Sequence, residues 1–342
     1  MTTTNPLLND PAGATGGVAI DFETTKEVGF YGLVWRRFKQ RKIALVASIT
    51  LGLIFFACVV VPFLLPADCV DLSQLNGGQA LGPLSFGHSS GSPCVAAGDH
   101  FHLLGTDVTG RDLLYRNLAG GRISLMIGVM TMLVTIFVAT ILGALSGFFG
   151  GLFDTIVTGI TNGVLSMPSI LLLIILVRAI NPNNDLHVLG LSAVVCSIAV
   201  IVLAISLIAW PGTARIVRSV ILSTREKEFI EAARAVGTSK MRIISRHLIP
   251  NALGPIVVAA SLTVGAAILT ESAISFLGYG INQPTATWGS LLDEGRNALV
   301  NNGSTGIWYA LWPGLLILLT VLSFNYIGDA LRDAFDPRSI ER

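Results

Sequence analysis

Six long stretches of the chain contain no Asp, Glu, Lys or Arg, and polar or charged connections separate them. A helix needs about 20 residues to cross the roughly 30 Å hydrocarbon core of a membrane. Because backbone groups cannot remain unpaired in lipid, each stretch is predicted to be a helix. The pattern predicts an all-α integral membrane protein with six transmembrane helices, in 43–65, 123–147, 155–177, 188–210, 251–270 and 307–327.

The composition supports a membrane protein and argues against a water-soluble domain and a nucleic-acid-binding protein. Of the 342 residues, 52% are hydrophobic and only 13% are charged, and the mean hydropathy of +0.71 is unusual for a water-soluble domain. The net charge of +1 provides no overall basic field, so we expect no nucleic-acid partner. The expected surroundings of this chain are membrane lipid.

The positively charged residues indicate how the helices are oriented. Counted on alternate sides of the six predicted crossings, 17 Lys and Arg lie on the side of the two termini and 5 on the other side. Cations that flank membrane helices stay in the cytoplasm, so both termini are predicted to be cytoplasmic. The predicted organisation is a cytoplasmic N-terminal tail with a basic anchor (1–42), a first helix (43–65), an extracytoplasmic loop (66–122), a core of five helices (123–327) and a cytoplasmic C-terminal tail (328–342).

The cytoplasmic loop at 211–250 carries eight of the cations. Ser223 and Glu226 have the spacing of a capping box, which predicts a helix that begins near Thr224 and ends at Gly237. A second short helix is predicted over 239–248, closed by Pro250. In the first helix, Phe229, Ala233 and Val236 fall on one side, whereas Glu228, Glu231 and Arg234 are displaced from them. Such a helix can lie on the membrane or dock onto a partner protein.

The residues of this loop resemble a known motif. Glu231-Ala232-Ala233, followed by Gly237 and by His247-Leu248-Ile249-Pro250-Asn251, is similar to the EAA motif of ABC importer permeases. The ending departs from the general pattern and resembles the variant of peptide permeases. The resemblance implies a helix that couples this chain to a cytoplasmic ATPase subunit, with coupling residues Glu228, Phe229, Glu231, Ala232, Ala233, Gly237, Thr238 and Lys240.

Other segments narrow the resemblance to the C-type permease of a dipeptide or oligopeptide importer. They are 102–107, 110–112 and 121–125 before and within the second predicted helix, and 271–278, 284–285, 288–289 and 328–338 in the second half. The resemblance implies a type I ABC importer permease fold that moves peptide substrates. It also implies three kinds of partner: a second, B-type permease subunit, one or two ATP-binding subunits, and an extracytoplasmic substrate-binding protein.

The chain lacks a site for ATP of its own. A phosphate-binding P-loop needs Gly-Lys-Ser/Thr, and none of the five lysines follows a glycine. We therefore expect no cofactor and no enzymatic activity on this chain, with ATP and Mg on the partner subunits. The alternatives are an importer of nickel or another small ligand in the same family and, from a different class, a secondary transporter. Six stretches almost empty of charge argue against the secondary transporter.

A few polar residues within or near the predicted helices are candidates for the translocation path: Asn162, Glu271 and Asn325. Glu271 is an ionisable residue near the outer end of the fifth helix, where it is either solvated or paired with Arg296. Glycines recur at intervals of four at 143, 147 and 151 and at 159 and 163, a spacing that indicates close helix packing. Pro168 and Pro255 are expected to kink their helices.

The remaining cysteines and histidines are interpreted structurally. Cys69 and Cys94 lie in the predicted extracytoplasmic loop, and a disulfide between them is the expected state there. The other two cysteines, Cys58 and Cys196, fall inside apolar stretches and are expected in the core. The G-x-S-x-G sequence at 87–91 and the pair His100 and His102 are attributed to an exposed loop, so neither a hydrolase nor a metal site is predicted.

Overall fold

The computed structural model describes residues 30–64, 83–89, 98–107, 111–180, 192–281, 285–302 and 304–335. Within these ranges the chain forms twelve α-helices and one β-hairpin. The helices are α1 Phe30–Gln40, α2 Lys42–Phe55, α3 Val61–Leu64, α4 Leu113–Phe149, α5 Gly151–Ser166, α6 Ser169–Ile180, α7 Ala193–Thr224, α8 Glu228–Ala235, α9 Lys240–Ile243, α10 Ile249–Phe276, α11 Trp288–Asn302 and α12 Ser304–Phe335. Two π-helical turns, Phe56–Val60 and Ile244–Leu248, join α2 to α3 and α9 to α10.

Among the described residues, five helical stretches are long and apolar enough to cross a membrane: Lys42–Val60, Leu113–Phe149, Ala193–Thr224, Lys240–Phe276 and Gly306–Phe335. They confirm the predicted all-α membrane fold, and most of them extend beyond the uncharged stretches of the sequence. The second begins at Leu113, where the Asp112 carboxylate accepts hydrogen bonds from the Leu114 and Tyr115 amides at 2.8 and 3.3 Å. Aspartate at this position caps a helix, so α4 begins before Ile123.

The stretch predicted as the third helix is not straight. Helices α5 and α6, of 16 and 12 residues, are each too short to cross the membrane alone, and the pair is bent by 99°. Met167 lies at the bend with an extended backbone, φ −91° and ψ 144°, immediately before Pro168. A proline disfavours the helical conformation of the residue before it, so Pro168 breaks this segment. The predicted kink at Pro168 is confirmed.

The described residues also form an antiparallel hairpin, which the all-helical prediction did not include. Strand β1, Ser85–Ser89, pairs with β2, Gly98–His102, in a register that places Ser85 opposite His102. The hairpin includes part of the G-x-S-x-G sequence and both His100 and His102, so these residues lie in strands and the predicted loop is wrong there. It precedes α4 in the chain and lies outside the helices that cross the membrane.

Helix α4 is central in the bundle, where it packs against α7 and α10. Gly143 and Gly147 allow the close approach to α7: a Cβ at Gly143 would lie 2.6 Å from the Ala214 carbonyl oxygen, and one at Gly147 would lie 2.9 Å from that of Arg218. The packing interpretation of these two glycines is confirmed. Gly151, Gly159 and Gly163 differ, because a Cβ at any of them would meet nothing within 4 Å among the described residues.

Candidate functional site

The loop at 211–250 is helical through most of its length. Helix α7 continues to Thr224, α8 follows as Glu228–Ala235, and Gly237 reverses the chain with φ +83°. The positive φ confirms the prediction that Gly237 ends the first helix. We refer to residues 224–248 as the coupling segment.

Two details of the predicted coupling segment are wrong. Ser223 does not cap α8, because it still belongs to α7 and its Oγ donates to the Val220 carbonyl at 2.9 Å. The cap position of α8 is Lys227, without a side-chain hydrogen bond. Pro250 does not close the second helix, since the helix runs on from Lys240 to Phe276. The π-helical turn at 244–248 widens the helix beside Pro250, where the proline ring would otherwise clash with the preceding turn.

The inner side of the coupling segment is anchored in the bundle by apolar side chains. Ile230 of α8, Ile243 of α9 and Leu248 are all at most 1% exposed. They form one core cluster with Val217 and Ile221 of α7. Ala233 is half-buried and packs against the same cluster. This anchoring fixes the position of α8 on the end of the bundle.

The outer side of the same segment carries apolar side chains that the described chain leaves exposed. Phe229 is 42% exposed, Val236 is 87% exposed and Met241 is 60% exposed. The predicted apolar side of Phe229, Ala233 and Val236 is therefore divided: Ala233 faces the bundle, whereas Phe229 and Val236 face away from it. Exposed apolar side chains grouped on a polar surface are typical of a protein interaction site.

Charged and polar residues surround these apolar side chains. Glu228 and Glu231 lie in the first turn of α8, where carboxylates are favoured by the helix dipole, and both are exposed. Ala232, Gly237 and Lys240 are also exposed, and Thr238 is half-buried. Within the described residues, Glu228, Glu231 and Lys240 form no ion pair. Their charges are therefore available to a partner.

Three arginines connect the coupling segment and the end of α7 to the turn between α4 and α5. Arg218 donates to both carboxylate oxygens of Asp154, from Nε and Nη2, at 2.6 Å each. Arg225 Nη1 donates to the Gly147 carbonyl at 2.9 Å. Arg234 of α8 lies 5.7 Å from the centre of the Phe148 ring. We call Arg218, Arg225, Arg234 and Asp154 the clamp.

Sequence reasoning missed the clamp, although part of its signal was present. The cations of 211–250 predict the orientation of the helices and a charged surface for a partner. Asp154 lies directly before the uncharged stretch 155–177, where it carries no signal of its own. Its partner is 64 residues away in the chain, and no local spacing connects the two residues.

The three candidates for the translocation path make separate contacts. Asn162 is exposed and its Oδ1 accepts from Arg215 Nη2 at 2.6 Å. Asn325 is exposed on α12. Glu271 is fully buried and accepts hydrogen bonds from Ser275 Oγ at 2.7 Å and Ser124 Oγ at 3.2 Å. The described contacts thus place these residues in three different environments.

Neither predicted environment of Glu271 is correct. The residue is not solvated, and Arg296 pairs with Asp293 at 2.7 Å instead. Ser124 Oγ, which donates to Glu271, also accepts from the Trp288 amide at 3.1 Å. Glu271 therefore joins α4, α10 and the start of α11 through hydroxyl groups.

A second cluster of charges lies where the segment before α4 meets α11 and α12. The Arg116 guanidinium, 0% exposed, donates to Asp107 Oδ2 at 2.9 Å and to the two carboxylate oxygens of Glu294 at 2.5 and 2.9 Å. It also donates to the hydroxyl of Tyr309. Arg111 pairs with Asp107 at 2.5 Å. Sequence reasoning recognised Asp107 and Arg111 only as part of a motif and did not connect them with Glu294 or Tyr309.

Glu294 illustrates the electrostatics of this cluster. Burial alone would raise the pKa of its carboxyl group. The hydrogen bonds and charge of Arg116, the hydrogen bond from Tyr309 and the charge of Arg111 outweigh burial, so the pKa of Glu294 is lowered from its ordinary value. The carboxylate is the favoured form at neutral pH.

The cysteine and metal predictions have different outcomes. Cys58 and Cys196 are buried free thiols, as expected. Cys69 and Cys94 lie outside the described residues, so their disulfide remains a prediction. In the part of the chain that the structure describes, no group of three or more His, Cys, Asp or Glu side chains has the arrangement of a metal site.

Two family models match the chain. The model described as the inner membrane component of binding-protein-dependent transport systems matches residues 139–341, more than half of the chain. The model of the N-terminal TM domain of oligopeptide transport permease C matches residues 29–78. The first match includes the clamp and the coupling segment, and the second includes α1 and α2.

Individual proteins match over most of their length. The oligopeptide transport system permease protein OppC of Salmonella typhimurium strain LT2 is 41% identical over 303 residues, which cover 89% of each chain. The dipeptide transport system permease protein DppC of Bacillus subtilis strain 168 is 35% identical over 305 residues, 89% of this chain and 84% of that protein. A solved structure titled as inward facing conformations of the MetNI methionine ABC transporter aligns with a TM-score of 0.48 and 19% identity, over 64% of this chain and 97% of that one.

Proposed function

The chain belongs to the family of inner membrane components of binding-protein-dependent transport systems, and on that premise we propose that it is the C-type permease subunit of an importer of short peptides. It is a multi-pass protein of a bacterial inner membrane. Its close relatives are named as oligopeptide and dipeptide permeases, which favours a peptide substrate over nickel or another small ligand.

The observation that carries the proposal is the outer side of the coupling segment. Phe229, Val236 and Met241 are exposed in a segment that the bundle holds in place from its inner side. Glu228 and Glu231 of the same segment form no ion pair with any described residue. A rigid helix with apolar and charged groups facing away fits the groove of a partner protein. In this proposal the partner is a cytoplasmic ATP-binding subunit, with Glu228, Phe229, Glu231, Ala232, Ala233, Gly237, Thr238 and Lys240 as the coupling residues.

Energy for transport comes from the partners in this proposal. One or two ATP-binding subunits hold ATP and Mg, a B-type permease completes the membrane channel, and an extracytoplasmic protein delivers the peptide. Closing of the ATP-binding subunits moves α8, and the clamp transmits this movement to the turn between α4 and α5. The movement is transmitted over a short distance, because Arg234 of α8 contacts the Phe148 ring and Arg218 of α7 is hydrogen-bonded to Asp154 of α5.

The candidates for the translocation path differ in their exposure. Asn162 and Asn325 are exposed in this chain, which is compatible with a cavity shared with the second permease subunit. Glu271 is enclosed by hydroxyl groups, so its contribution is to hold α4, α10 and α11 together next to that path.

Uptake by the assembled importer in lipid vesicles tests this function. The complex, with its partners and ATP inside the vesicles, should accumulate a labelled di- to pentapeptide delivered with the binding protein, and should do so only with hydrolysable ATP. Labelled nickel serves as the competing substrate. Accumulation of nickel without accumulation of any peptide would contradict the peptide assignment, and accumulation that follows an ion gradient without ATP would contradict the importer class.

A further inference from the structure

Helix α1, Phe30–Gln40, has one side that packs on the protein. Val34 and Phe38 are each 7% exposed. Phe38 belongs to a core cluster with Ala44 of α2 and Ala330 of α12, next to Leu331. The last turns of α12 therefore fix the position of α1.

The other side of α1 combines an aromatic ring with positive charge. Trp35 is 58% exposed, and Arg36 and Lys39, which follow it in α1, are exposed as well. Lys39 Nζ lies 5.0 Å from the centre of the Trp35 ring. Within the described residues neither Arg36 nor Lys39 pairs with a carboxylate. The sequence from 28 to 65 contains no Asp or Glu, so the charge of this side is not compensated along the chain.

The position of α1 along the chain places this side at the boundary of the membrane. The apolar span begins at Lys42, directly after α1. Arg41 separates the two helices with a non-helical backbone, φ −84° and ψ 97°, so α1 is not a continuation of the span. Exposed tryptophan next to Lys and Arg is the usual composition of helices that lie in the interface between lipid and water.

We propose that α1 is an interfacial helix that binds the headgroups of anionic phospholipids through Arg36 and Lys39, with Trp35 at the level of the headgroups. The complementary charge selects the anionic lipid, and the indole contributes an amphipathic ring at the same depth. The site goes beyond peptide transport, since it concerns the lipid around the subunit. Because Phe38 joins α1 to α12, a bound lipid also steadies the end of α12.

Lipid retention by the assembled importer tests this proposal. The complex is purified in mild detergent from membranes or vesicles of equal phosphatidylglycerol and phosphatidylcholine content, and both lipids are quantified by mass spectrometry. The test variant is Arg36→Gln with Lys39→Gln. The matched control is Arg36→Lys with Lys39→Arg, which keeps both charges. Arg41 and Lys42 stay in both variants, so the cations nearest to the span are unchanged.

The wild type and the control are expected to retain phosphatidylglycerol in excess over phosphatidylcholine. Each removed cation should weaken the binding of the anionic lipid about fivefold, as expected for Lys or Arg near a charged membrane surface. Equal enrichment in all three proteins would overturn the proposal. Loss of enrichment in the charge-keeping control would overturn it as well, and so would unchanged lipid together with loss of the ATP-binding subunits from the test variant, since α1 would then bind a protein.

Discussion

At the scale of single residues, charge inside the bundle is accompanied by a specific partner in each described case. Arg116 is enclosed by Asp107, Glu294 and Tyr309, and Glu271 by hydroxyl groups. A buried charge that loses its partner is expensive, whereas an exposed ion pair contributes little. The contribution of the Arg116 cluster is therefore best measured against a more exposed pair, Arg296 with Asp293, on α11, the helix that carries Glu294.

Arg116→Met should reduce the free energy of unfolding by about 3–5 kcal/mol, because it leaves the carboxylates of Asp107 and Glu294 buried without a guanidinium group. Arg296→Met removes an arginine whose side chain is 51% exposed, and the expected change is below about 1 kcal/mol. Denaturant unfolding of the purified chain in detergent compares the two variants. Similar losses of unfolding free energy in both variants would show that the buried cluster stabilises the protein no more than the more exposed pair does.

Glu294 also predicts a dependence of stability on pH. The pKa of its carboxyl group is lowered in the folded protein, so its stabilising effect is complete above the ordinary value of 4.5 and disappears as the pH falls through the lower folded value. Glu294→Gln should therefore be less stable than the wild type at pH 7, and the difference should shrink below pH 4.5. Thermal unfolding of both proteins over this range measures the difference. A gap that stays constant down to pH 3 would contradict the assigned ionisation.

At the scale of elements, the contact between α4 and α7 depends on glycine. Gly143→Ala would place a Cβ 2.6 Å from the Ala214 carbonyl oxygen. Since the neighbour is backbone, we expect a loss of about 1–3 kcal/mol of stability. Gly163→Ala is the matched control, because nothing described lies within 4 Å of its Cβ, and it should be neutral or gain up to about 1 kcal/mol from helix propensity. Thermal unfolding of the chain purified by itself measures the stability of both variants. A Gly163→Ala variant less stable than Gly143→Ala would contradict this prediction.

The clamp predicts a specific loss of coupling. Arg218→Gln and Asp154→Asn each remove the paired hydrogen bonds between α7 and the start of α5. Each should lower the peptide transported per ATP hydrolysed at least about fivefold, with hydrolysis retained, which corresponds to a modest coupling energy of about 1 kcal/mol.

Combination of the two changes controls this experiment. The double variant should be no worse than either single one, because both remove the same interaction. Additive losses would show that Arg218 and Asp154 act independently. A proportional loss of ATP hydrolysis and uptake would show that the pair serves assembly rather than coupling.

The sequence predicted the elements of this chain better than their ends. Runs without charge located the membrane helices, because exposure of charge to lipid is costly. The observed helices are longer than these runs: α4 begins at Leu113 instead of residue 123, and α7 ends at Thr224 instead of residue 210. The difference arises where charged residues such as Arg116 and Arg218 find partners inside the protein. The Ser223–Glu226 spacing failed as a helix start for a related reason, since the tertiary packing of Val217 and Ile221 extends α7 through it.

The candidate site was predictable in position but not in its connections. The EAA resemblance located α8 and the turn at Gly237, and the structure adds which side faces outward. Phe229 and Val236 are exposed while Ile230 is buried. Helical spacing did not predict which of these side chains face the bundle, because α8 ends at Ala235, before Val236. Contacts between distant segments, such as Asp154 with Arg218 and Arg116 with Glu294, leave no local pattern in the sequence.

At the scale of the whole molecule, the proposed function makes this chain one subunit of a larger complex. Its helices form a bundle with a firmly anchored coupling segment at one end and an enclosed charge cluster linking the segment before α4 to α11 and α12. Several apolar surfaces, among them the sides of Gly159 and Gly163, meet no other described residue, which is compatible with a second membrane subunit. The central claim is that α8 joins this bundle to an ATP-binding partner.

Co-purification with measurement of ATP hydrolysis tests that claim most directly. The tagged chain is extracted in mild detergent as wild type, as Glu231→Arg, as Gly237→Pro and as Asp329→Arg, an exposed acid on α12 outside the coupling segment that serves as the control. Proline cannot adopt the φ of +83° at position 237. We predict that the wild type and Asp329→Arg retain ATP-binding subunits and substrate-stimulated hydrolysis, whereas Glu231→Arg and Gly237→Pro remain inserted but lose one or both. Full retention of partners and stimulated hydrolysis by Glu231→Arg and Gly237→Pro would contradict the account.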